Sequence, residues 1–193
     1  MPPRAAPVEL LADLIGVLRE WGDRWYVFGA QAVLIWGRPR MTADVDVTVA
    51  LVPDEPTRFV SDMRAAGFDL RVLDVDDFVR RTHVLPFVHS KTGLPLDVVI
   101  AASGLESGFL DRARRTRVGD LEFPVISPED LVIAKILSGR PKDLEDVSGV
   151  LARQKGRLDI AHIRETLKAL ETALARNDLV PDFERLIGRG ALR

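Results

Sequence analysis

The sequence predicts an α/β fold of the α+β type, in which a mixed sheet is flanked by helices and a helical region follows at the C-terminus. Two observations lead to this fold class. In the first two thirds of the 193 residues, short apolar runs typical of strands alternate with segments whose apolar residues recur at helical spacing. In the last third only the helical spacing is found. We therefore expect an α/β core over residues 1–124 and a helical region over residues 125–193.

The elements of the first part are predicted from spacing and from end signals. Residues 8–21 carry apolar side chains at helical spacing. Residues 26–49 contain a short apolar strand, a small-residue turn into a buried helix, an Arg/Pro loop and a second strand. Pro53-Asp54-Glu55-Pro56 starts the next helix, and Gly67 ends it, as glycine often does. The predicted segments are a helix over 8–21, a strand over 25–28, a helix over 30–36, a strand over 43–52, a helix over 53–66 and a strand over 68–73.

The remaining elements are predicted from turn and cap residues. The acidic and then basic stretch 74–81 is expected to be a surface segment. Ser90-Lys91-Thr92-Gly93 is typical of a hairpin, and Gly119-Asp120 indicates a tighter one. Ser127 at the N-cap, followed by proline, predicts a helix start. The predicted segments are strands over 83–89 and 95–100, a helix over 104–115, a hairpin over 117–123 and helices over 128–138, 142–154, 160–175 and 182–187.

Composition excludes several classes of protein. The chain has no cysteine, so disulfides, zinc–thiolate sites and thiol nucleophiles are excluded. Its formal net charge of −2 differs from that of a protein that coats nucleic acid, so any nucleic-acid contact is expected from a local patch. The N-terminus shows no signal peptide, and no stretch reaches the roughly 20 apolar residues of a membrane span. We therefore expect a cytoplasmic protein without a membrane partner.

Three aspartates on predicted strands suggest a metal site. Residues two apart in a strand share a face, so Asp44 and Asp46 are expected to point the same way. Two like charges side by side on a half-buried strand are costly, and a divalent cation between them is the usual reason to tolerate that cost. Asp97 is the single charge in another apolar strand. If the two strands are neighbours, the three carboxylates converge on a site for Mg²⁺ or Mn²⁺.

Such a site suits phosphoryl chemistry. The ions bind substrate phosphates, and two of them can clamp an in-line displacement. A carboxylate that is not fully occupied by metal can take the proton from an attacking hydroxyl, and we assign that role to Asp97. Gly29-Ala30 joins the first strand to a helix, whose N-terminal N–H groups suit a phosphate. The alternative is that these small residues only allow tight packing of helix on strand.

Charged residues near the C-terminal region admit two interpretations. Lys135 is the only charge inside an apolar helical run, so it either snorkels at the helix edge or is aimed at an anion, and we favour the anion. Asp143 and Asp146 share a face of the next helix. For these two aspartates, a brace of ion pairs with Arg140 and Lys142 is at least as good an interpretation as a catalytic role.

The order of these motifs resembles a known family. Gly29-Ala30, then Asp44-Val45-Asp46, then a lone strand Asp97, resembles the nucleotidyltransferase superfamily of the DNA polymerase β type. The segments 129–135 and 139–146 are similar to AbiEii-like and MenT-like nucleotidyltransferases, which are toxins of type IV toxin–antitoxin systems. The resemblance covers roughly residues 26–150. The chain departs from the pattern at Ala30, where the family usually has Gly or Ser, because alanine keeps the backbone donors but has no hydroxyl.

The resemblance implies a nucleotidyltransferase fold and transfer of an NMP from an NTP to an acceptor hydroxyl. It implies Mg²⁺ or Mn²⁺ as cofactor, tRNA or protein as acceptor, and a cognate antitoxin as partner. The residues that it implies as catalytic are Asp44, Asp46, Asp97 and Lys135, with the three aspartates as metal ligands and with Gly29, Ala30, Arg40, Lys135 and Lys142 as nucleotide-binding residues.

Other functions stay open at this point. A protein of this fold can bind nucleotide or act as an antitoxin-type partner with little turnover, and the carboxylates can also be solvated on a plain interaction protein. The densest basic cluster is either a solvated face or the contact for an RNA acceptor. Its members are Arg112, Arg114, Arg115 and Arg117.

Overall fold

The computed structural model describes residues 5–22, 24–42, 44–52 and 55–191. The chain divides into two compact units. The first consists of Met1–Gln31 and Met41–Ile126, and the second of Ala32–Arg40 and Ser127–Arg193. The division falls inside one continuous helix, Gly29–Trp36, whose first turn belongs to the first unit.

The first unit contains a mixed sheet and its helices. In chain order its described elements are α1 (Ala6–Leu18), a 3-10 turn (Arg19–Trp21), β1 (Trp25–Phe28), the start of α2 (Gly29–Trp36), β2 (Val45–Val49), α3 (Pro56–Ala65), β3 (Phe68–Leu70), α4 (Val75–Thr82), β4 (Val84–His89), β5 (Pro95–Ile100), α5 (Gly104–Arg112), β6 (Arg114–Val118) and β7 (Leu121–Val125). Within these residues the sheet has seven strands in the order β3-β4-β5-β2-β1-β7-β6. The pairs β2–β5 and β1–β7 are parallel and the others antiparallel, so the predicted α/β class with a mixed sheet is confirmed.

The core of this unit follows the strand alternation of the sequence. Side chains at every second position of the central strands are fully buried, whereas Asp46 and Asp97, at the positions between, are only half-buried. The buried set in β2 and β5 comprises Val45, Val47, Val49, Leu96 and Val98. The hairpin predicted from Ser90–Gly93 joins β4 to β5 in antiparallel register.

Two segments differ from the prediction for physical reasons. The predicted surface segment 74–81 forms α4, which begins where the Asp74 side chain accepts a hydrogen bond from the backbone N–H of Asp77. Its three apolar residues recur at helical spacing, but the segment is only eight residues long and mostly charged, and none of its residues is buried. The predicted helix 104–115 ends at Arg112, because Ala113 adopts an extended ψ of 139° and the following residues pair as β6 with β7.

The strand that carries the two aspartates is shorter than predicted. It spans Val45–Val49, so Asp44 precedes the strand and is exposed, instead of lying within it. Ala43, Pro53 and Asp54, which the prediction placed at the start of this strand and of the next helix, lie outside the described residues, as does Asp23. The following helix, α3, begins at Pro56.

The second unit is helical. It contains the rest of α2 and the helices α6 (Pro128–Ser138), α7 (Pro141–Arg153), α8 (Ile160–Leu174) and α9 (Leu179–Ala191). Ser127 caps α6 as predicted, since its hydroxyl accepts from the backbone N–H of Asp130 at 3.1 Å. Helix α9 is longer than the predicted 182–187. Across the described residues, no helix combines the length and apolarity that a membrane span requires.

Candidate active site

Asp46 and Asp97 lie side by side in the middle of the sheet. Strands β2 and β5 are parallel neighbours, and their register pairs Asp46 directly with Asp97. Adjacent strands are about 4.8 Å apart, and register partners of a parallel pair direct their side chains to the same face. The fully buried valines on either side of Asp46 point to the opposite face. Two carboxylates separated widely in the sequence are thereby placed next to each other.

Gly29 packs directly against the carboxylate of Asp46. Asp46 has Asp97 as its register partner on β5 and Phe28 as its partner on β1. Phe28 is the last residue of β1, so Gly29, which begins α2, lies next to Asp46. Gly29 has φ of +60°, and a Cβ at this position would lie 2.0 Å from Oδ2 of Asp46. Only glycine allows both this backbone conformation and this approach. The first turn of α2, including the buried Ala30, presents backbone N–H groups of the kind that bind phosphates.

Asp44 is tied to the same turn through its backbone. The side chain of Gln31 is buried, and its Nε2 donates to the carbonyl oxygen of Asp44 at 3.3 Å. The carboxylate of Asp44 is exposed and makes no hydrogen bond or ion pair with the residues that the structure describes. Gln31 was not singled out from the sequence, because a lone glutamine in a short apolar helix has no pattern that marks it.

The donor set fits a metal ion that the substrate helps to hold. Asp46 and Asp97 offer carboxylate oxygens on adjacent strands, and Asp44 offers an exposed carboxylate next to them in the sequence. Among the described residues, however, no group of three or more His, Cys, Asp or Glu side chains forms a site that could hold a metal by itself. Mg²⁺ usually takes one or two protein carboxylates together with waters and substrate phosphates. Metal binding by Asp44, Asp46 and Asp97 therefore stays a prediction, and it requires oxygen ligands from the substrate.

Asp97 has a cationic partner that the sequence did not reveal. Arg71, just after β3, donates from a terminal guanidinium nitrogen to Oδ1 of Asp97. Its Nε donates to the carbonyl oxygen of Phe87 at 2.9 Å, and its backbone N–H donates to that of Pro86 at 2.9 Å. Pro86 is the register partner of Asp97 on β4. A single arginine after a short edge strand gives no sequence signal for this contact, since the contact depends on strand order.

In the second unit, Lys135 is held by two carboxylates. It is 8% exposed, and its Nζ donates to Oδ1 of Asp143 at 2.6 Å and to Oδ2 of Asp146 at 2.8 Å. Arg40 binds both oxygens of Asp146, at 2.9 and 3.2 Å, and Arg140 Nε donates to Asp143 at 2.5 Å. These charges form an ion-paired brace, with Lys135 and Arg40 in place of the predicted Lys142 as partners of the aspartates.

The pKa values of both aspartates reflect this brace. Burial by itself raises the pKa of Asp143, but hydrogen bonds from Lys135, Arg140 and Ser138 outweigh it, so the pKa lies below its ordinary value. Burial likewise acts to raise the pKa of Asp146, and Arg40 and Lys135 lower it overall. Both carboxylates are therefore ionised at neutral pH.

The predicted nucleotide-binding roles of these basic residues remain predictions. Lys135 and Arg40 each already neutralise a buried carboxylate. Lys142 differs, because it is exposed in the first turn of α7 and makes no ion pair with the described residues. Of the basic residues of this unit named as nucleotide-binding, Lys142 is therefore the one whose charge is accessible to a phosphate.

The basic cluster lies at one end of the first unit's sheet. Arg114, Arg115 and Arg117 are exposed on β6, the edge strand, and Arg112 ends α5. Arg117 pairs with Glu122 at 3.2 Å across the hairpin. A surface ion pair of this kind contributes little to stability. Arg117 can therefore exchange Glu122 for another anion at little cost.

Comparisons with known proteins agree with this fold. The family model described as "Nucleotidyltransferase of unknown function (DUF6036)" matches residues 11–184. A search of curated proteins finds none with a significant match. The solution structure of the antibiotic-resistance factor ANT(2'')-Ia superimposes with a TM-score of 0.61 at 12% identity, over 88% of this chain and 95% of that one. A crystal structure of ANT(2'')-Ia in complex with adenylyl-2''-tobramycin gives 0.58 at 13% identity, over 86% and 98%. At these identities the structures show a shared fold.

Proposed function

Because this chain belongs to the nucleotidyltransferase family of unknown function DUF6036, and is an enzyme of that class, we propose that it moves an NMP from an NTP to an acceptor hydroxyl, releasing pyrophosphate. The observation that carries this proposal is the row formed by Gly29, Asp46 and Asp97. It combines a phosphate-accepting helix start with two adjacent carboxylates. A plain interaction surface has no need for a glycine with positive φ pressed against a half-buried aspartate.

The nucleotide side of the reaction is assigned to Asp44, Asp46 and the first turn of α2. Asp44 and Asp46 would hold Mg²⁺ or Mn²⁺ together with the triphosphate oxygens. When bound, the ion would supply charge neutralisation at the phosphates. The backbone N–H groups of Gly29 and Ala30 donate to the phosphates, which needs no hydroxyl at position 30. Lys142 belongs to the second unit and stays a predicted nucleotide-binding residue with an exposed charge.

The acceptor side is assigned to Asp97. This carboxylate is half-buried beside Asp46, so it can reach a substrate and still lies in a partly desolvated setting. Its role is to accept the proton of the attacking hydroxyl. Because it stands on the neighbouring strand to Asp46, the nucleophile and the activated phosphate are brought to the same face of the sheet.

For the acceptor itself we propose an RNA, with tRNA as the first candidate. The exposed arginines of β6 support a polyanionic acceptor, since phosphate contacts dominate nucleic-acid affinity. The similarity to type IV toxins adds a cognate antitoxin as a proposed partner. The structural neighbour bound to adenylyl-2''-tobramycin provides the alternative, a small polyhydroxylated compound.

One experiment separates these acceptors. The protein is incubated with each α-labelled NTP and Mg²⁺, in parallel with total RNA, a protein lysate and an aminoglycoside mixture. We expect label in the RNA, and less of it when Arg114 and Arg115 are changed to Gln. Label in protein or in the small compounds instead would replace the RNA proposal. Tight NTP binding without label in any acceptor would favour the nucleotide-binding or antitoxin-type role.

A further inference from the structure

We propose that Arg71 is a positioning residue that fixes the carboxylate of Asp97 for the acceptor hydroxyl. This inference rests on the proposed function and extends it to a residue outside the motif. It starts from the contact between the Arg71 guanidinium and Oδ1 of Asp97. Asp97 is ion-paired with a side chain that comes from a different strand segment and is itself held in place.

The guanidinium of Arg71 is anchored before it reaches Asp97. Its backbone N–H donates to the carbonyl of Pro86 and its Nε to that of Phe87, each at 2.9 Å. These two β4 residues are the register partners of Asp97 and Leu96 on β5. Arg71 thus extends from the edge of the sheet across β4 to β5. Since the planar guanidinium is already fixed by Nε, little further rotamer freedom is lost when its terminal nitrogen binds Asp97.

The Arg71–Asp97 ion pair is too exposed to contribute much to the free energy of unfolding. The side chains of Arg71 and Asp97 are 39% and 42% exposed. Ion pairs with this exposure contribute little to the free energy of unfolding, because water screens them. An anchored arginine that adds little stability is better explained by the orientation that it imposes. A charge-assisted hydrogen bond to one oxygen restrains the orientation of the carboxylate.

The two carboxylate oxygens of Asp97 have different surroundings. Oδ1 is occupied by Arg71, while Oδ2 accepts no hydrogen bond from the residues that the structure describes. Oδ2 is therefore the atom left to face a hydroxyl. The guanidinium also places a positive charge beside Asp97, which disfavours a second cation at that carboxylate. Arg71 thereby assigns Asp97 to the acceptor and leaves the metal ion to Asp44 and Asp46.

The test uses the full chain and compares Arg71→Met, which removes the charge at similar size, with Arg71→Lys, which keeps the charge but loses the fork. Asp97→Asn and the double variant complete a mutant cycle. Arg80→Met is the control, because Arg80 also forms an ion pair with an aspartate, Asp77 on α4, although Arg80 itself is more exposed than Arg71. The measurements are kcat and KM for NTP, the midpoint of thermal unfolding, and Mn²⁺ affinity by electron paramagnetic resonance in the presence of a non-hydrolysable NTP analogue.

We expect Arg71→Met to lower kcat by about 10- to 100-fold, as small misplacements of reacting groups do, with KM for NTP nearly unchanged. Mn²⁺ binding should tighten, because a competing positive charge is gone. In the Asp97→Asn background, Arg71→Met should have no further effect on kcat. Arg71→Lys should fall between wild type and Arg71→Met, and Arg80→Met should match wild type.

Three kinetic results would overturn the inference. They are an unchanged kcat in Arg71→Met, a raised KM for NTP at constant kcat, and an effect on kcat that adds to that of Asp97→Asn. Weaker Mn²⁺ binding together with a lowered melting temperature would also contradict it, since that indicates a distorted strand. If the wild type labels no acceptor, the proposed function and this inference fail together. If the wild type is active and both Arg71 variants equal it, only this inference fails.

Discussion

Gly29 faces Asp46 so closely that a Cβ on Gly29 would lie 2.0 Å from Oδ2 and 2.8 Å from Cγ of that aspartate. The contact is between a helix start and the neighbouring strand, both of which belong to the same compact unit. It holds the turn proposed to bind phosphate and the carboxylate proposed to bind the metal ion in direct contact. A change at either residue is therefore expected to disturb both parts of the proposed site.

Gly29→Ala should abolish most of the activity. The added Cβ must displace the Asp46 carboxylate, and an alanine at φ of +60° costs a further ~1–2 kcal/mol. We expect a loss in transfer rate of at least about 100-fold. The control is Gly22→Ala, because Gly22 also has a positive φ, of +65°, but a Cβ there would meet no atom of the described residues within 4 Å. Equal activity losses in the two variants would show that backbone strain, and not the approach to Asp46, matters.

Lys135→Met should destabilise the second unit strongly. It leaves Asp143 and Asp146, which are 1% and 6% exposed, without their shared cation. Removing one partner of a buried ion pair costs about 3–5 kcal/mol. Urea denaturation measures this loss. Lys142→Met is the control, since Lys142 is exposed, and it should keep wild-type stability while raising KM for NTP. A Lys135→Met protein of unchanged stability but raised KM would instead support the predicted phosphate contact of Lys135.

The same brace predicts how stability depends on pH. The pKa values of Asp143 and Asp146 are lowered from 3.8 in the folded protein, so the unfolded chain binds protons more readily in acid. The stabilisation from these carboxylates is therefore complete above about pH 4–5 and is lost as the pH falls through their lowered folded-state values. Thermal unfolding midpoints measured between about pH 6 and pH 2.5 should decline, and decline less in Asp143→Asn. Glu165→Gln, which removes an exposed acid on α8, should keep the wild-type slope. If the unfolding midpoints of wild type and Asp143→Asn decline in parallel with falling pH, the brace does not contribute to the loss of stability in acid.

The fold class was predictable because strand alternation and helix caps are local signals. Ser127 and its following proline fixed the start of α6, and Ser90–Gly93 identified the hairpin between β4 and β5. Helix α4 was missed because its three apolar residues, although at helical spacing, stand in a short and highly charged segment and are not buried. Similarly, the boundary between α5 and β6 depends on pairing with β7, which no local pattern encodes.

The candidate site was predictable only where it follows a motif. Asp46 and Asp97 were recognised as lone charges in apolar strands, but their pairing depends on the order β5-β2-β1 of the sheet. Arg71 and Gln31 contact Asp97 and Asp44 through tertiary structure, so spacing gives no indication of them. For Lys135, its place as the only charge in an apolar run was apparent and an anion was expected, but its two aspartate partners become clear only when α6 packs on α7.

The most direct test of the account is the single-turnover rate of NMP transfer by Asp46→Asn, measured with the labelled acceptor that the wild type identifies. Asparagine keeps the size of the side chain beside Gly29 and removes only its charge, so the protein should keep its fold by circular dichroism. We expect the rate to fall by about 1,000-fold or more, and Asp97→Asn to show a comparable loss. Asp111→Asn, an exposed position on α5, serves as the charge-matched control and should keep the full rate. A folded Asp46→Asn protein that transfers NMP at the wild-type rate would contradict the central claim that this carboxylate row is the catalytic site.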